Sequence, residues 1–476
     1  MKNKPNKNGH QTKPGQPPRV AFVALGCAKN LVDSEKMLGQ LVEAGCVITA
    51  DESLADVLVI NTCGFLEASR TEADEIIAEA VERKKKGKLG RVVVAGCLVQ
   101  RDKEKILERI PGVDALVGVN NRDDIVRAVL SRESAHANGK KTTSPRTTDV
   151  YLADYHPFIQ LDTARLRLTP KHYAYLRISE GCDQKCTFCT IPSIRGHMHC
   201  KPVSVILDEA RELVADGAVE ISLIGQDTTS YGLGADPIEG GLAGLLRALN
   251  QVDGLRWVRL MYVYPSVMSD EIIDAIAECD RVCKYIDMPL QHINDRVLKA
   301  MHRRVNRAQT EDLLSRIRDR ISGVSIRTTL IAGFPGETDA EFEELVSFVR
   351  GAEFDALGVF PYSLEPETPA GRMKEQIPAA VKQQRVEALM LAQQDVAFAL
   401  AERRVGSTFD VLVDGVEKSG RARARHQGQA PSVDSLTYVE RCGASPGDFL
   451  SVRCTRRDAY DLIAKPVHVA LPVMGT

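Results

Sequence analysis

Six of the twelve cysteines fall into two sets of three, and the two sets are built differently. Cys182, Cys186 and Cys189 share one short loop, GCDQKCTFC, with C-x3-C-x2-C spacing. Cys27, Cys63 and Cys97 are spread out, each closing a short apolar run that ends LGC, NTC or AGC. Thiolates are soft ligands that favour iron–sulfur clusters or zinc over magnesium or calcium. Three of them are one short of the four that fill a cluster or a structural zinc site, so each set leaves a coordination position open for chemistry. Zinc at the tight loop would need a fourth ligand, and His197, His199 and Cys200 lie near in sequence. The spread set has an alternative reading as three unrelated core residues, because a free cysteine packs like a small hydrophobe. Cys46 lacks the placement of the other three and reads as packing.

The spread set requires a scaffold that brings distant residues together. Strands are predicted at Val20–Leu25, Asp56–Asn61 and Arg91–Ala95, with helices at Val32–Ala44 and Glu67–Lys84 between them. That alternation predicts an open parallel α/β sheet. The cysteines are 36 and 34 residues apart, about one βα unit each. Each thiol therefore falls just past the carboxyl end of a strand, where open α/β sheets hold their ligands. After a polar connector, a strand runs into the tight loop. Further strands are expected at Glu220–Ile224, Arg256–Tyr264, Lys284–Met288, Ser325–Ile331 and Ala356–Pro361, with helical patterns between them. Six strand–helix units predict a partial (β/α)6 barrel whose active face is the carboxyl ends of its strands. Cys182–Cys189, Gln226, Tyr264–Pro265, Gln291–His292 and Gly333–Glu337 all fall there. Helix Ala379–Glu402 closes this part, and from Gly406 five short strands between turn residues predict a small antiparallel β-barrel. The division is then a disordered tail over 1–18, an N-terminal domain over 19–135, a linker over 136–167, a barrel over 168–402 and a β module over 403–470.

Composition sets the class. The formal net charge of −2 gives no global attraction to nucleic acid or anionic membrane. The first eighteen residues are basic and lack the apolar centre of a secretory signal, and no run approaches a membrane span. A cytoplasmic protein that makes no use of a membrane is expected, with reduced thiols whose clustering points to metal or redox work rather than disulfides.

The tight loop, with its aromatic Phe188 before the last cysteine and its place after the first barrel strand, resembles the radical S-adenosylmethionine (SAM) superfamily. That resemblance implies a [4Fe–4S] cluster on Cys182, Cys186 and Cys189, whose open iron chelates SAM. An electron from the cluster splits SAM into methionine and a 5′-deoxyadenosyl radical, which takes hydrogen from an unactivated carbon. GQD (225–227) and TTLIAGFPGET (328–338) lie where the superfamily contacts SAM, which implies contacts from Gln226, Asp227, Gly333 and Phe334. LGCAKNLVDSE, NTCGF and VAGCL ahead of such a barrel resemble the methylthiotransferases, and the C-terminal module is similar to their TRAM domain. This implies a second, auxiliary [4Fe–4S] cluster on Cys27, Cys63 and Cys97. External sulfide binds its open iron and is methylated by SAM, and a reducing electron donor, such as a reductant protein, supplies the electron. No catalytic residue beyond the clusters is implied.

Two substrate classes divide that family. GCAKNLVDSE, NTCGFLEASR, SEGCDQKCTFCTIPSIRG, MYVYP and YIDMPLQH are similar to the RimO-type branch, which modifies one aspartate of ribosomal protein uS12. The partner so implied is uS12 or the small ribosomal subunit, with rRNA as a further contact. The alternative is C2 methylthiolation of N6-isopentenyl- or threonylcarbamoyl-adenosine in tRNA. That branch usually has an Arg-Glu pair soon after NTC, whereas Phe65-Leu66-Glu67 stands here. One departure from the family pattern is Cys200-Lys201, where a small residue and an arginine are usual. In the β module, alternating Arg421, Arg423 and Arg425 are expected on one strand face and form a candidate docking surface for the substrate; a solvated edge strand is the alternative.

Overall fold

The computed structural model describes residues 17–131, 148–155, 161–234 and 237–467. Residues 1–16 of the expected tail over 1–18, and residues 132–147 and 156–160 of the connecting stretch, lie outside the described residues. The chain forms two compact units. One comprises the chain through Leu168 with Glu180–Asp183 and Thr190–His199; the other comprises Thr169–Ser179, Gln184–Cys189 and everything from Cys200.

The first unit is built on a six-stranded parallel sheet. Its strands are β1 (Arg19–Ala24), β2 (Val47–Ile48), β3 (Val57–Thr62), β4 (Arg91–Gly96), β5 (Ala115–Gly118) and β6 (Asp149–Tyr151), in the order β2-β1-β3-β4-β5-β6. Every residue of β3 is buried. Its side chains alternate between two apolar layers: Leu58 and Ile60 join Val92 and Val94 on one face, while Val57 and Val59 join Val93 and Ala95 on the other. A parallel strand covered on both faces requires such an unbroken apolar run. The short strands β2, β5 and β6 escaped the sequence reading. β6 lies in the expected linker, and it pairs in register with β5, Leu116 opposite Val150. Farther along the same segment, Asp162 binds buried Arg122, and Glu35 binds Arg165. Buried charges need partners, and these draw the segment onto the domain.

The second unit holds a six-stranded parallel sheet: β7 (Tyr173–Arg177), β8 (Glu220–Ile224), β9 (Trp257–Leu260), β10 (Val282–Asp287), β11 (Ser325–Ala332) and β12 (Ala356–Pro361). They lie side by side in chain order, as a partial (β/α)6 barrel requires. The helix Ala379–Arg403 follows. A closed five-stranded barrel then forms from β13 (Thr408–Val416), β14 (Ala422–His426), β15 (Thr437–Val439), β16 (Phe449–Asp458) and β17 (Asp461–Pro466). It is mixed rather than antiparallel as expected, because β15 and β17 run parallel. A ring with an odd number of strands cannot alternate direction all the way round, so one parallel pair is forced.

The barrel is fastened to the sheet by buried charge. Arg425 on β14 has no exposed surface; it pairs with Glu220 on β8 at 2.7 Å and with Asp414 at 2.7 Å. Arg259 on β9 donates to Glu220 at 2.8 Å and to the Gln427 carbonyl at 2.7 Å, and His172 reaches Asp414 at 2.9 Å. This corrects the docking reading of Arg425: its stretch of strand faces the sheet instead of solvent. Arg421 and Arg423 remain at the surface.

Burial alone would raise the Glu220 carboxyl, but the Arg425 and Arg259 guanidiniums overturn this and hold it below its ordinary range. The Asp414 carboxyl is lowered as well, its burial outweighed by His172 and Arg425. A carboxyl lowered by folding stabilises the fold above its unfolded pKa, and that contribution disappears as pH falls through the folded value. The junction is therefore intact at neutral pH and fails in acid below the usual carboxylate range. Trp257, the only tryptophan, stacks edge-on against Phe449 of the barrel at 5.0 Å and reports on the junction. Arg425→Ala should cost about 3–5 kcal/mol in chemical denaturation and shift Trp257 emission to the red at neutral pH. The parent should show the same shift only in acid.

Candidate functional site

In the first unit, Cys27, Cys63 and Cys97 follow the ends of β1, β3 and β4, which are neighbours in the sheet. Cys27 caps the helix α1 (Ala28–Glu43), and Cys97 opens the short helix α2 (Cys97–Asp102). The strand ends approach so closely that side chains are excluded beside the thiols. A Cβ on Gly26 (φ +97°) would lie 2.9 Å from Cys63 Cβ, and one on Gly64 would lie 2.7 Å from the Cys97 backbone. The structure thus brings all three spread cysteines to one place. Burial raises the Cys63 thiol, and it pushes Cys97 up to about 12; both also feel the Cys27 sulfur.

Residues that the sequence reading passed over hold this place together. Asn30 on α1 donates to the Leu25 carbonyl at 3.1 Å and to the Thr62 carbonyl at 2.8 Å, tying β1 to β3. Its Oδ1 lies 3.3 Å from Cys97 Sγ and accepts from Arg195 at 2.6 Å. Asn61 returns a bond to the Asn30 carbonyl at 2.9 Å. Arg195, only 4% exposed, also contacts Cys97 Sγ at 3.1 Å, Asp33 at 2.9 Å and Glu180 at 3.0 Å. Ile194 packs against Cys97. The available signal was the run KNLVDSE, whose polar residues open an otherwise apolar-faced helix.

In the second unit, Cys186 and Cys189 are half-buried. Their stretch is held from two sides. Thr187 bonds the Met301 and Ala300 carbonyls at 3.1 and 2.8 Å, and Gln184 donates to Asp227 at 2.8 Å. Asp227 is buried and also accepts from Thr229 at 3.0 Å and Ser230 at 2.7 Å. Its carboxylate anchors the cysteine stretch. Gln226 lies half-buried just past β8. Phe334 is fully buried, edge-on to Tyr362 at 5.5 Å, in a cluster that includes Phe188. Its side chain is core. The amides of Gly333 and Phe334 both donate to Glu337, at 3.0 and 3.2 Å, and Thr338 begins a capping box with Glu341. Much of GFPGET is thus a helix-starting turn. Lys201, at the departure from the family pattern, is buried and bidentate on Glu209 at 2.8 and 2.6 Å. Its charge is used internally.

The positive-φ residues Tyr262 (+61°) and Gln291 (+74°) both sit at the carboxyl ends of strands in this sheet. Such backbone persists only where surrounding bonds over-determine it, and it gathers at functional sites. Among the described residues, no three His, Cys, Asp or Glu side chains stand as a ready single-ion site. A polynuclear cluster spreads its ligands over several metal atoms, and the first unit's donor set suits one: three soft thiols, a backbone cradle closed to side chains, and a buried cation against the sulfur.

Comparison with known proteins bears on the same segments. Residues 176–349 match the radical SAM superfamily, 19–118 match the uncharacterized protein family UPF0004 and 405–467 match the TRAM domain. The chain is 42% identical over 451 residues to the ribosomal protein uS12 methylthiotransferase RimO of Anaeromyxobacter sp. (strain K), covering 94% of this chain and 93% of that protein. It is 39% identical over 449 residues to the protein of that name from Geobacter sulfurreducens, covering 94% and 98%. Among solved structures, the radical SAM methyltransferase TsrM of Kitasatospora setae is similar in fold, with a TM-score of 0.51 at 16% identity over 74% of this chain and 75% of that one.

Arg195→Ala should leave Asp33 and Glu180 short of a buried partner and cost about 3–5 kcal/mol in chemical denaturation of the chain without clusters. Arg195→Lys should recover only part, because an ammonium lacks the planar fork that reaches several acceptors.

Proposed function

Because the chain belongs to the radical SAM methylthiotransferases, in the branch of the RimO uS12 enzymes, we propose that it inserts a methylthio group at the β-carbon of one aspartate of ribosomal protein uS12, giving 3-methylthioaspartate. The observation that carries this reading is the convergence of Cys27, Cys63 and Cys97 on three adjacent strand ends, in a chain that also holds the tight C-x3-C-x2-C loop. Cys27, Cys63 and Cys97 would hold an auxiliary [4Fe–4S] cluster, and Cys182, Cys186 and Cys189 a second one. When bound, these groups and SAM supply reductive SAM cleavage at one site and a held sulfur at the other. Hydrogen must leave a β-carbon that has no acidity to exploit, which is why radical chemistry suits this substrate. The sulfur comes from external sulfide and the electron from a low-potential donor.

The chain's own residues hold and orient. Asn30 and Arg195 fix Cys97 relative to the β1 and β3 ends, and Asp227 fixes the cysteine stretch through Gln184. SAM contacts are proposed at Gln226 and at the turn around Gly333. Substrate docking is proposed at Arg421 and Arg423. No described helix is long and apolar enough to cross a membrane, and we place the protein in the cytoplasm beside the ribosome.

Cys27→Ala should retain reductive SAM cleavage, measured as 5′-deoxyadenosine, and lose sulfur insertion. Anaerobic turnover on small ribosomal subunits, read by peptide mass, should show a methylthio gain on uS12 with the parent only. A gain on a tRNA nucleoside instead would contradict the protein-substrate reading. Replacing Arg421 and Arg423 together by Glu should weaken subunit binding several-fold in a sedimentation assay and leave SAM cleavage unchanged; unchanged binding would contradict the docking face.

A further inference from the structure

Each cysteine set has a buried arginine against one of its thiols, and the two arginines differ in what balances their charge. Arg195, against Cys97, is offset by Asp33 and Glu180. Arg303 is 8% exposed and reaches Cys186 Sγ from Nη1 at 3.6 Å. Its Nη2 donates to the Pro289 carbonyl at 2.6 Å, and its guanidinium lies 4.0 Å from the centre of the Tyr264 ring. Among the described residues no carboxylate pairs with it, and its Nε is buried without a hydrogen-bond partner. The position is fixed on both sides: Thr187 bonds the Met301 and Ala300 carbonyls, and His302 (φ +58°) bonds the Lys185 carbonyl at 2.9 Å. An arginine cannot shed its proton to escape burial. A cation with no carboxylate against it acts on what lies beside it, and here that is a cluster-ligand sulfur.

We propose that Arg303 is a positioning residue that favours the reduced state of the cluster on the Cys182–Cys186–Cys189 loop, while the offset charge of Arg195 gives the auxiliary site no such bias. The electron delivered by a low-potential donor is thereby directed to the cluster that cleaves SAM. A fixed positive charge close to a redox centre in a poorly solvated setting stabilises the extra electron, and at an effective dielectric of about 20 the effect is worth about tenfold or more in the reduced-to-oxidised ratio. The inference rests on the reading of the loop cysteines as cluster ligands.

The test uses the full chain, reconstituted anaerobically, with Cys27, Cys63 and Cys97 replaced by Ala so that only the loop cluster contributes. Iron and sulfide are counted, and the midpoint potential is read by redox titration with electron paramagnetic resonance, dithionite as reductant. Arg303→Gln should move the midpoint to more negative values and cut the reduced-to-oxidised ratio at the parental midpoint about tenfold. Arg303→Lys, which keeps the charge, should stay near the parent. Arg303→Met, which keeps the apolar stem against Tyr264, is the second neutral variant and should move as Arg303→Gln does. An unchanged midpoint in a neutral variant with full iron content overturns the proposal, and so does an equal shift in Arg303→Lys, which would make the effect one of packing. If the parent itself holds no iron on this loop, the underlying cluster reading fails instead.

Discussion

One asparagine side chain fixes the geometry on which the N-terminal site depends. Asn30 donates to the carbonyls at the ends of β1 and β3, and its oxygen meets both Cys97, just past β4, and Arg195. A strand ladder sets the register of its neighbours but leaves the loops beyond it free. The Asn30 bonds extend that register past the ladder, to the residues that carry thiols. Arg195 then brings a charge into the same buried space, where it persists because Asp33 and Glu180 answer it. Buried ion pairs of this kind contribute little net stability over apolar packing, but removing one partner is costly. Such an arrangement is tied to its geometry more than to its energy.

The second unit uses the same device with different parts. Asp227 gathers Gln184, Thr229 and Ser230, and Glu337 gathers the amides of Gly333 and Phe334. In each case a buried carboxylate at the carboxyl end of a strand organises the backbone around it. The strands supply the rigid frame, and the carboxylates decide where the connecting loops lie. The turn at Gly333 is left-handed (φ +75°) and lies against Lys382, where a side chain has no room. Fixing these loops in advance removes an ordering cost that a bound cofactor would otherwise have to meet.

Much of this was legible in the sequence, and the failures have physical causes. The strands around Cys27, Cys63 and Cys97 were legible because an apolar run buried on both faces has few other meanings at that length. The C-x3-C-x2-C loop was legible because its spacing is local. Asn30, Asp33 and Arg195 were not. Polar residues in the first turns of an amphipathic helix, such as Asn30 and Asp33, ordinarily face water, so the run KNLVDSE marks the place without saying that its side chains are covered, and Arg195 ends a short helix whose burial is set by tertiary packing. Arg425 misled for the converse reason: alternation correctly put it on the outer face of the barrel, but which outer face meets a neighbour is decided by tertiary packing. Asp227 and Phe334 sit in the motifs as expected, while their side chains turn inward. The parallel pair in the small barrel follows from strand parity, which a list of strands contains and a pairwise reading of hairpins overlooks.

The central claim is that this chain removes hydrogen from the β-carbon of an aspartate in uS12 and places sulfur there. The most direct measurement uses small subunits whose uS12 carries aspartate deuterated at the β-carbon, turned over anaerobically with unlabelled SAM, sulfide and reductant. Mass analysis of the recovered 5′-deoxyadenosine should show deuterium, in step with the methylthio gain on the uS12 peptide. 5′-Deoxyadenosine that forms without deuterium while the peptide stays unmodified would contradict the account.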